Sequence, residues 1–249
     1  MIELLNNAYS TCSQKVRLCL HEKQLEFRDT QLDFRKNEHL APEYLALNPN
    51  GVVPTLVHDG QPIVDSSVIM EYLEEVFPQV PLSPATPVTR ADMRAWLRFF
   101  EEVPTAAIRV PSFSTIFVRH FADLDDDAFD AAAKARPLRT HFYQKMGRTG
   151  FSDDEVDASF KALSQTIERM QKRLAGNAWL CGERLTLADL CVYPSFDRMA
   201  DLGHASMWAD APDVDRWFEA LRARPSYPAT YYQGSRLSHR YPELQEVST

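Results

Sequence analysis

The chain has 249 residues, 45% of them apolar, enough for one large domain or two modest ones with filled cores. A formal net charge of −8 argues against a general affinity for nucleic acid or an anionic membrane surface, and no apolar run reaches the roughly 18 residues of a spanning helix. Cys12, Cys19, Cys181 and Cys191 form neither a C-x-x-C pair nor a metal-ligand spacing, and the opening MIELLNN has no basic or long apolar stretch, so the expectations are no metal and a reduced, cytoplasmic protein.

Residues 2–5 read as a short apolar strand that runs into Ser10-Thr11-Cys12-Ser13. These open a helix over about 12–23, with Val16, Leu18, Cys19 and Leu20 as apolar positions. Residues 25–30 read as a second strand. A looser helix over Pro42–Leu47 stops at the turn signal Asn48-Pro49-Asn50-Gly51. Thr55–His58 and residues 62–64 read as strands joined by Asp59-Gly60, a hairpin signal. Ser66–Val76 is then helical, with Val68, Ile69, Tyr72, Leu73 and Val76 on one side. The order βαβ, then ββα, is thioredoxin-like.

Pro78, Pro81, Pro84 and Pro87 mark a semi-rigid linker. Beyond it the pattern is helical: 90–102, Asp153–Leu174, a buried-looking helix over 190–199 and another over 214–224 ended by Pro225. Thr186-Leu187-Ala188-Asp189 has the spacing of an N-terminal capping box. Residues 124–130 are acidic and read as solvated, and 103–150 is the least readable stretch. The expected organisation is an α/β thioredoxin-like domain over 1–78, a linker over 79–89 and an all-α domain over 90–249.

The chemistry-bearing residues gather in the first third. A hydroxyl at a helix N-terminus can hold a thiolate, because the helix dipole and unpaired N–H groups favour negative charge there. Val53-Pro54 before an apolar strand can offer free backbone groups to a peptide. Asp65-Ser66, opening the next helix, can hold an amino group and a carboxylate together. The pattern suits an anionic thiol peptide.

These motifs resemble those of cytosolic glutathione S-transferases. Ser10-Thr11-Cys12-Ser13-x-x-Val16-Arg17 resembles the zeta-class signature SSCSxxVR, and Asn48-Pro49 with Val53-Pro54-Thr55-Leu56 resembles NPxxxVPTL, where the proline is cis. Asp65-Ser66, Ile69 and Glu71-Tyr72-Leu73 resemble the acid-Ser-x-x-I-x-x-YL helix, and Leu185 to Asp189 resemble the family's buried capping box. The run from Phe142 to Phe151, into Glu155-Val156-Asp157-x-x-Phe160, resembles the middle of bacterial β-aryl etherases.

The resemblance implies a glutathione S-transferase fold, glutathione as co-substrate, a small apolar aromatic electrophile and a homodimer. Ser10 would stabilise the thiolate. Cys12 falls where beta-class enzymes carry a disulfide-forming cysteine, and Ser13 where the etherases carry a serine, so both compete for the role. Asp65 and Ser66 would bind the γ-glutamyl end, Val53 the cysteinyl main chain, with Pro54 turning its backbone toward the ligand, and His39 the glycine carboxylate. Plain roles stand beside these: helix caps at Ser10 and Asp65-Ser66, an edge-strand start at Pro54, a surface His39. The electrophile pocket would lie between the domains, walled by Ala8-Tyr9, the helix over 90–109 and residues 110–121, with Phe113, Phe117 and Trp96 as candidate lining. Aryl ether cleavage, isomerisation, disulfide exchange through Cys12 and a non-catalytic scaffold are the alternatives the sequence leaves open.

Overall fold

Alternation in Ile2-Glu3-Leu4-Leu5-Asn6 buries every second residue and makes β1, Ile2–Asn6. The structure is a computed structural model that describes residues 1–246. After β1 come α1 (Thr11–Glu22), β2 (Arg28–Gln31), two 3-10 turns, α2 (Pro42–Leu47), β3 (Thr55–His58), β4 (Gln61–Val64) and α3 (Ser66–Val76). The sheet order is β2-β1-β3-β4, with β1 parallel to β2 and antiparallel to β3. Asp59 and Gly60 both take positive φ, as a two-residue hairpin turn of this type requires.

The second strand starts later than the sequence pattern suggests. Leu25 donates its N–H to Leu20 O, and Gln24 takes a left-handed φ, so this backbone is spent closing the end of α1. Leu25 and Phe27 pack on the core from the loop instead.

The helical part comprises α4 (Pro87–Glu102), α5 (Pro104–Ala107), α6 (Arg109–Thr115), α7 (Asp126–Lys134), α8 (Thr140–Met146), α9 (Asp153–Leu174), α10 (Leu187–Asp201), α11 (Pro212–Arg222), α12 (Ser226–Thr230) and α13 (Glu243–Glu246). No helix of the described residues is long and apolar enough to cross a membrane. Thr86 accepts the Thr89 N–H and Pro87 fills the first helical position, so α4 begins inside the segment read as linker. The rest of that segment is pinned: Lys23 donates to Val80 O, and the Glu74 carboxylate accepts the Leu82 N–H. The acidic run over 124–130 is not simply solvated. Asp125 caps α7 by accepting the Ala128 N–H, Asp126 and Asp127 sit in its first turn where the helix dipole favours them, and Phe129 is buried. Residues from this region close a small apolar cluster of their own around Phe121, Phe129 and Met146.

Every residue of α1 from Ser13 to Leu20 is buried, and α3, α10 and α12 pack against the helix. Its two buried cations bind the halves together. Lys15 donates to Glu101 at 2.6 Å and to Thr105 at 2.9 Å, both from the helical part. Arg17 donates to Asn6, to Ala8 O and to Thr230 O.

α10 is the central helix, and Asp189 anchors its start. The carboxylate accepts hydrogen bonds from Leu180 N–H, Thr186 N–H, the Thr186 hydroxyl and Trp217 Nε1, all within 2.9–3.0 Å. Asp189→Ala leaves four buried donors without an acceptor, so urea unfolding should show a loss of ~3–5 kcal/mol, against ~1 kcal/mol for Thr186→Ala. A loss below about 1 kcal/mol in Asp189→Ala would show that water takes over the site.

Candidate active site

Strand register decides which loops meet. Leu5 pairs with Thr55 and Thr55 with Val64, while Asn6 pairs with Gln31. The segments that carry Ser10, His39, Val53 and Asp65 therefore all leave the sheet at one end, where α1 and α3 also begin. A cavity of about 640 Å³ opens there against the helical part. Ser10, Cys12, His39 and Val53 line it; Ser13, Pro54, Asp65 and Ser66 do not.

Ser10 is half-buried and caps α1. Its Oγ accepts the Ser13 N–H at 3.3 Å and its carbonyl accepts the Gln14 N–H at 2.9 Å. A hydroxyl that accepts one bond keeps its own proton to donate. Ser13 is fully buried, and its Oγ accepts the Asn7 N–H at 3.3 Å, which ties down the turn from β1 into α1. Cys12 is a half-buried free thiol beside Ser10.

Tyr44 and Asn48 set the loop before β3. Both donate to Val52 O, at 2.6 and 2.8 Å, and both bond the Thr55 hydroxyl. Val53 is left with neither N–H nor C=O paired among the described residues. The Val53–Pro54 peptide bond is cis. Gly51 takes a φ of +61, and a side chain there would press on Leu40 and Pro137.

Asp65 has a φ of +73, a conformation that costs a non-glycine residue ~1–3 kcal/mol. Its Oδ1 accepts the Ser67 N–H (2.9 Å), the Ser67 hydroxyl (2.7 Å) and the Val68 N–H (3.1 Å), which hold it there. Its other oxygen and the Ser66 hydroxyl have no partner among the described residues. His39 is buried rather than on the surface, its ring 4.5 Å from that of Phe34, with Nδ1 unpaired. Burial, then the nearby Arg136, pulls its pKa from 6.5 down to about 4, so the ring is neutral near pH 7.

The opposite wall is aromatic. Phe113, Phe117, Phe121, Phe142 and Tyr143 line the cavity, with Phe113 4.8 Å from Phe117 and 4.9 Å from Phe142, ring centre to ring centre. Tyr9 stacks on Phe117 at 5.9 Å and joins this wall to the α1 loop. Phe113 and Phe117 are thus where the sequence places them. Trp96 is not: it lies in the core, against Phe100 and under Arg169. Arg109, Arg136, Arg139, Phe142 and Tyr143 complete the wall. The etherase-like run from Phe142 was the one sequence signal for Phe142 and Tyr143, and the three arginines had none. No group of three or more His, Cys, Asp or Glu is placed to hold a metal ion among the described residues.

Comparison with known proteins agrees with this architecture. The family model "Glutathione S-transferase, N-terminal domain" matches residues 9–76, and "Glutathione S-transferase, C-terminal domain" matches residues 127–225. Glutathione S-transferase 1 of Dianthus caryophyllus is 47% identical over 195 residues, 78% of this chain and 75% of that protein. Protein LigF of Sphingobium sp. is 27% identical over 234 residues, 90% of each. The crystal structure of beta-etherase LigF from Sphingobium sp. strain SYK-6 superposes with a TM-score of 0.84 at 26% identity, covering 92% of this chain and 98% of that one.

The neutral, buried His39 has a consequence for stability. Its folded pKa lies below its unfolded value, so between the two the unfolded chain binds the extra proton. Its contribution is full above about pH 6.5 and is lost as pH falls toward 4. His39→Gln should remove up to ~3 kcal/mol of that acid-side loss, seen as a wild-type-to-variant difference that changes between about pH 7.5 and about pH 4.5 in urea unfolding. A pH-independent difference would show that His39 titrates normally.

Proposed function

The chain belongs to the glutathione S-transferase family, and on that premise we propose that it ionises the thiol of bound glutathione at Ser10 and directs the sulfur onto a carbon of a small aromatic electrophile. The observation that carries this reading is Ser10 at the mouth of α1. Its oxygen is already engaged by Ser13 N–H, its proton is free, and the aromatic wall faces it across one cavity.

In this reading glutathione lies along the end of the sheet. Its γ-glutamyl amino group meets the free carboxylate oxygen of Asp65, and its α-carboxylate meets Ser66 at the start of α3. The unpaired N–H and C=O of Val53 exchange hydrogen bonds with the cysteinyl main chain, as an added strand would. His39 is the donor for the glycyl carboxylate. The sulfur then sits at Ser10, whose hydroxyl and the first N–H groups of α1 stabilise the thiolate and lower the thiol pKa. The electrophile stacks on the Phe113 and Phe142 wall. Holding both reactants in one cavity replaces a bimolecular encounter with a positioned one.

Similarity to LigF, whose solved structure is described as a beta-etherase, supports an aryl ether as the electrophile. The sulfur–carbon bond would form as the carbon–oxygen bond breaks, the phenolate leaving with the electron pair and taking a proton from water. A homodimer in the cytoplasm belongs to the same reading. A second reading rests on Cys12, which lines the same cavity and could form a mixed disulfide with glutathione.

The variants Ser10→Ala, Cys12→Ala and Ser13→Ala separate these. Ser10→Ala should lower kcat/KM for glutathione transfer by about 10²–10³ and raise the ultraviolet-titrated pKa of the bound thiol, while Cys12→Ala retains transfer. Full activity in Ser10→Ala, or loss of activity only in Cys12→Ala, overturns the assignment. Ser66→Ala should raise KM for glutathione about tenfold with kcat nearly unchanged, since it removes binding shared by ground and transition states.

A further inference from the structure

The cavity is unusual for so acidic a chain. Five arginines line it, Arg35, Arg109, Arg136, Arg139 and Arg198, and no Asp or Glu does among the described residues. Three of the five are engaged. Arg35 pairs with Asp33 at 3.3 Å. Arg136 donates to Ala132 O and to Asn37, and lies over the Tyr143 ring at 4.8 Å. Arg198 donates to Tyr9 O and faces Asp201.

Arg109 and Arg139 are left over. Both are half-buried, and among the described residues neither guanidinium has a hydrogen-bond partner or a carboxylate within ion-pair distance. Arg109 opens α6, and Arg139 precedes α8. Burial, then the charge of Arg109, brings the pKa of Arg139 down to about 10, with Glu101 among the groups that oppose the shift. Two like charges on the wall of one partly dry cavity cost free energy unless an anion neutralises them. Glutathione, as placed above, has both its carboxylates on the first domain.

We propose that Arg109 and Arg139 form a carboxylate-binding subsite in the electrophile pocket, so that the substrate is an aromatic electrophile bearing a carboxylate. This rests on the transferase reading and names its substrate class. A guanidinium presents a planar fork that matches a carboxylate, and two forks beside a stack of aromatic rings suit a flat ring with an acid group on its edge. The ring lies on Phe113 and Phe142, the acid group meets the two arginines, and the reacting carbon is turned toward Ser10 and the sulfur. Arg109 and Arg139 bind and orient; they take no part in bond-making.

The test uses benzyl chloride and para-carboxybenzyl chloride with glutathione. In both, sulfur attacks the benzylic carbon and chloride leaves with the electron pair. The ratio of kcat/KM, carboxylated over plain, should fall about ten- to hundredfold in Arg139→Gln and in Arg109→Gln, and Arg139→Lys should restore part of it. An unchanged ratio overturns the proposal, and so does a rise in KM for glutathione that affects both chlorides equally, since the arginines would then serve glutathione. Naphthoate, which cannot react, gives an independent reading by its fluorescence on the glutathione-loaded protein. Its affinity should fall at least about tenfold in each Gln variant, and equal binding in wild type and variants overturns the subsite. If neither chloride is turned over yet naphthoate binding still depends on both arginines, the transferase reading fails and the anion subsite stands.

Discussion

The pairing of Leu5 with Thr55 and of Thr55 with Val64 is the constraint on which the cavity depends. A slip of one residue between β1 and β3 would turn Leu4 or Leu56 out of the core and shift the loops that follow. In the observed register, four loops and two helix N-termini converge on one end of the sheet. Much of what the first domain gathers there follows from that geometry: an unpaired Val53 and a cap hydroxyl at Ser10 on the cavity, and a strained Asp65 off its lining at the same end of the sheet. The strain at Asp65 is held by three hydrogen bonds, so it is maintained by the start of α3 and not by the loop alone.

α1 carries this edge into the second half of the molecule. Lys15 and Arg17 are buried, but each is surrounded by acceptors drawn from the other elements. Removing an acceptor would leave a buried charge uncompensated, which makes the docking of the two halves specific as well as stable. The Ser10 hydroxyl thus sits at the tip of a helix that cannot tilt without breaking contacts to both halves. Rigid placement of this kind is what a hydrogen bond to a thiolate needs.

The facing wall is built differently. Phe113, Phe142 and Tyr143 belong to a region that packs around its own small cluster, Phe121, Phe129 and Met146, outside the main core. A satellite cluster lets sequence vary there without disturbing α1 or the sheet. The same region supplies Arg136 and Arg139 to a cavity that no acidic residue lines among the described residues, in a chain with a net charge of −8. Asp125, Asp126 and Asp127 gather at the N-terminus of α7, while Arg136 and Arg139, beyond its other end, line the cavity.

The local signals were strong enough to place much of the fold from the chain alone. Apolar spacing gives Ser66–Val76 and Asp153–Leu174, Asp59-Gly60 gives the hairpin, and ordered motifs give the family. Such elements are specified by neighbours within one or two turns. Strand two is displaced because Gln24 and Leu25 close a helix, and the acidic run over 124–130 caps one, both outcomes of hydrogen bonds that composition does not display. Tertiary structure alone decided that His39 is buried and neutral, that Trp96 is core, and that Arg109 and Arg139, thirty residues apart, share one wall with no partner among the described residues. The physical reason is that burial and charge balance are sums over everything that surrounds a side chain, and those surroundings are assembled from segments distant along the chain.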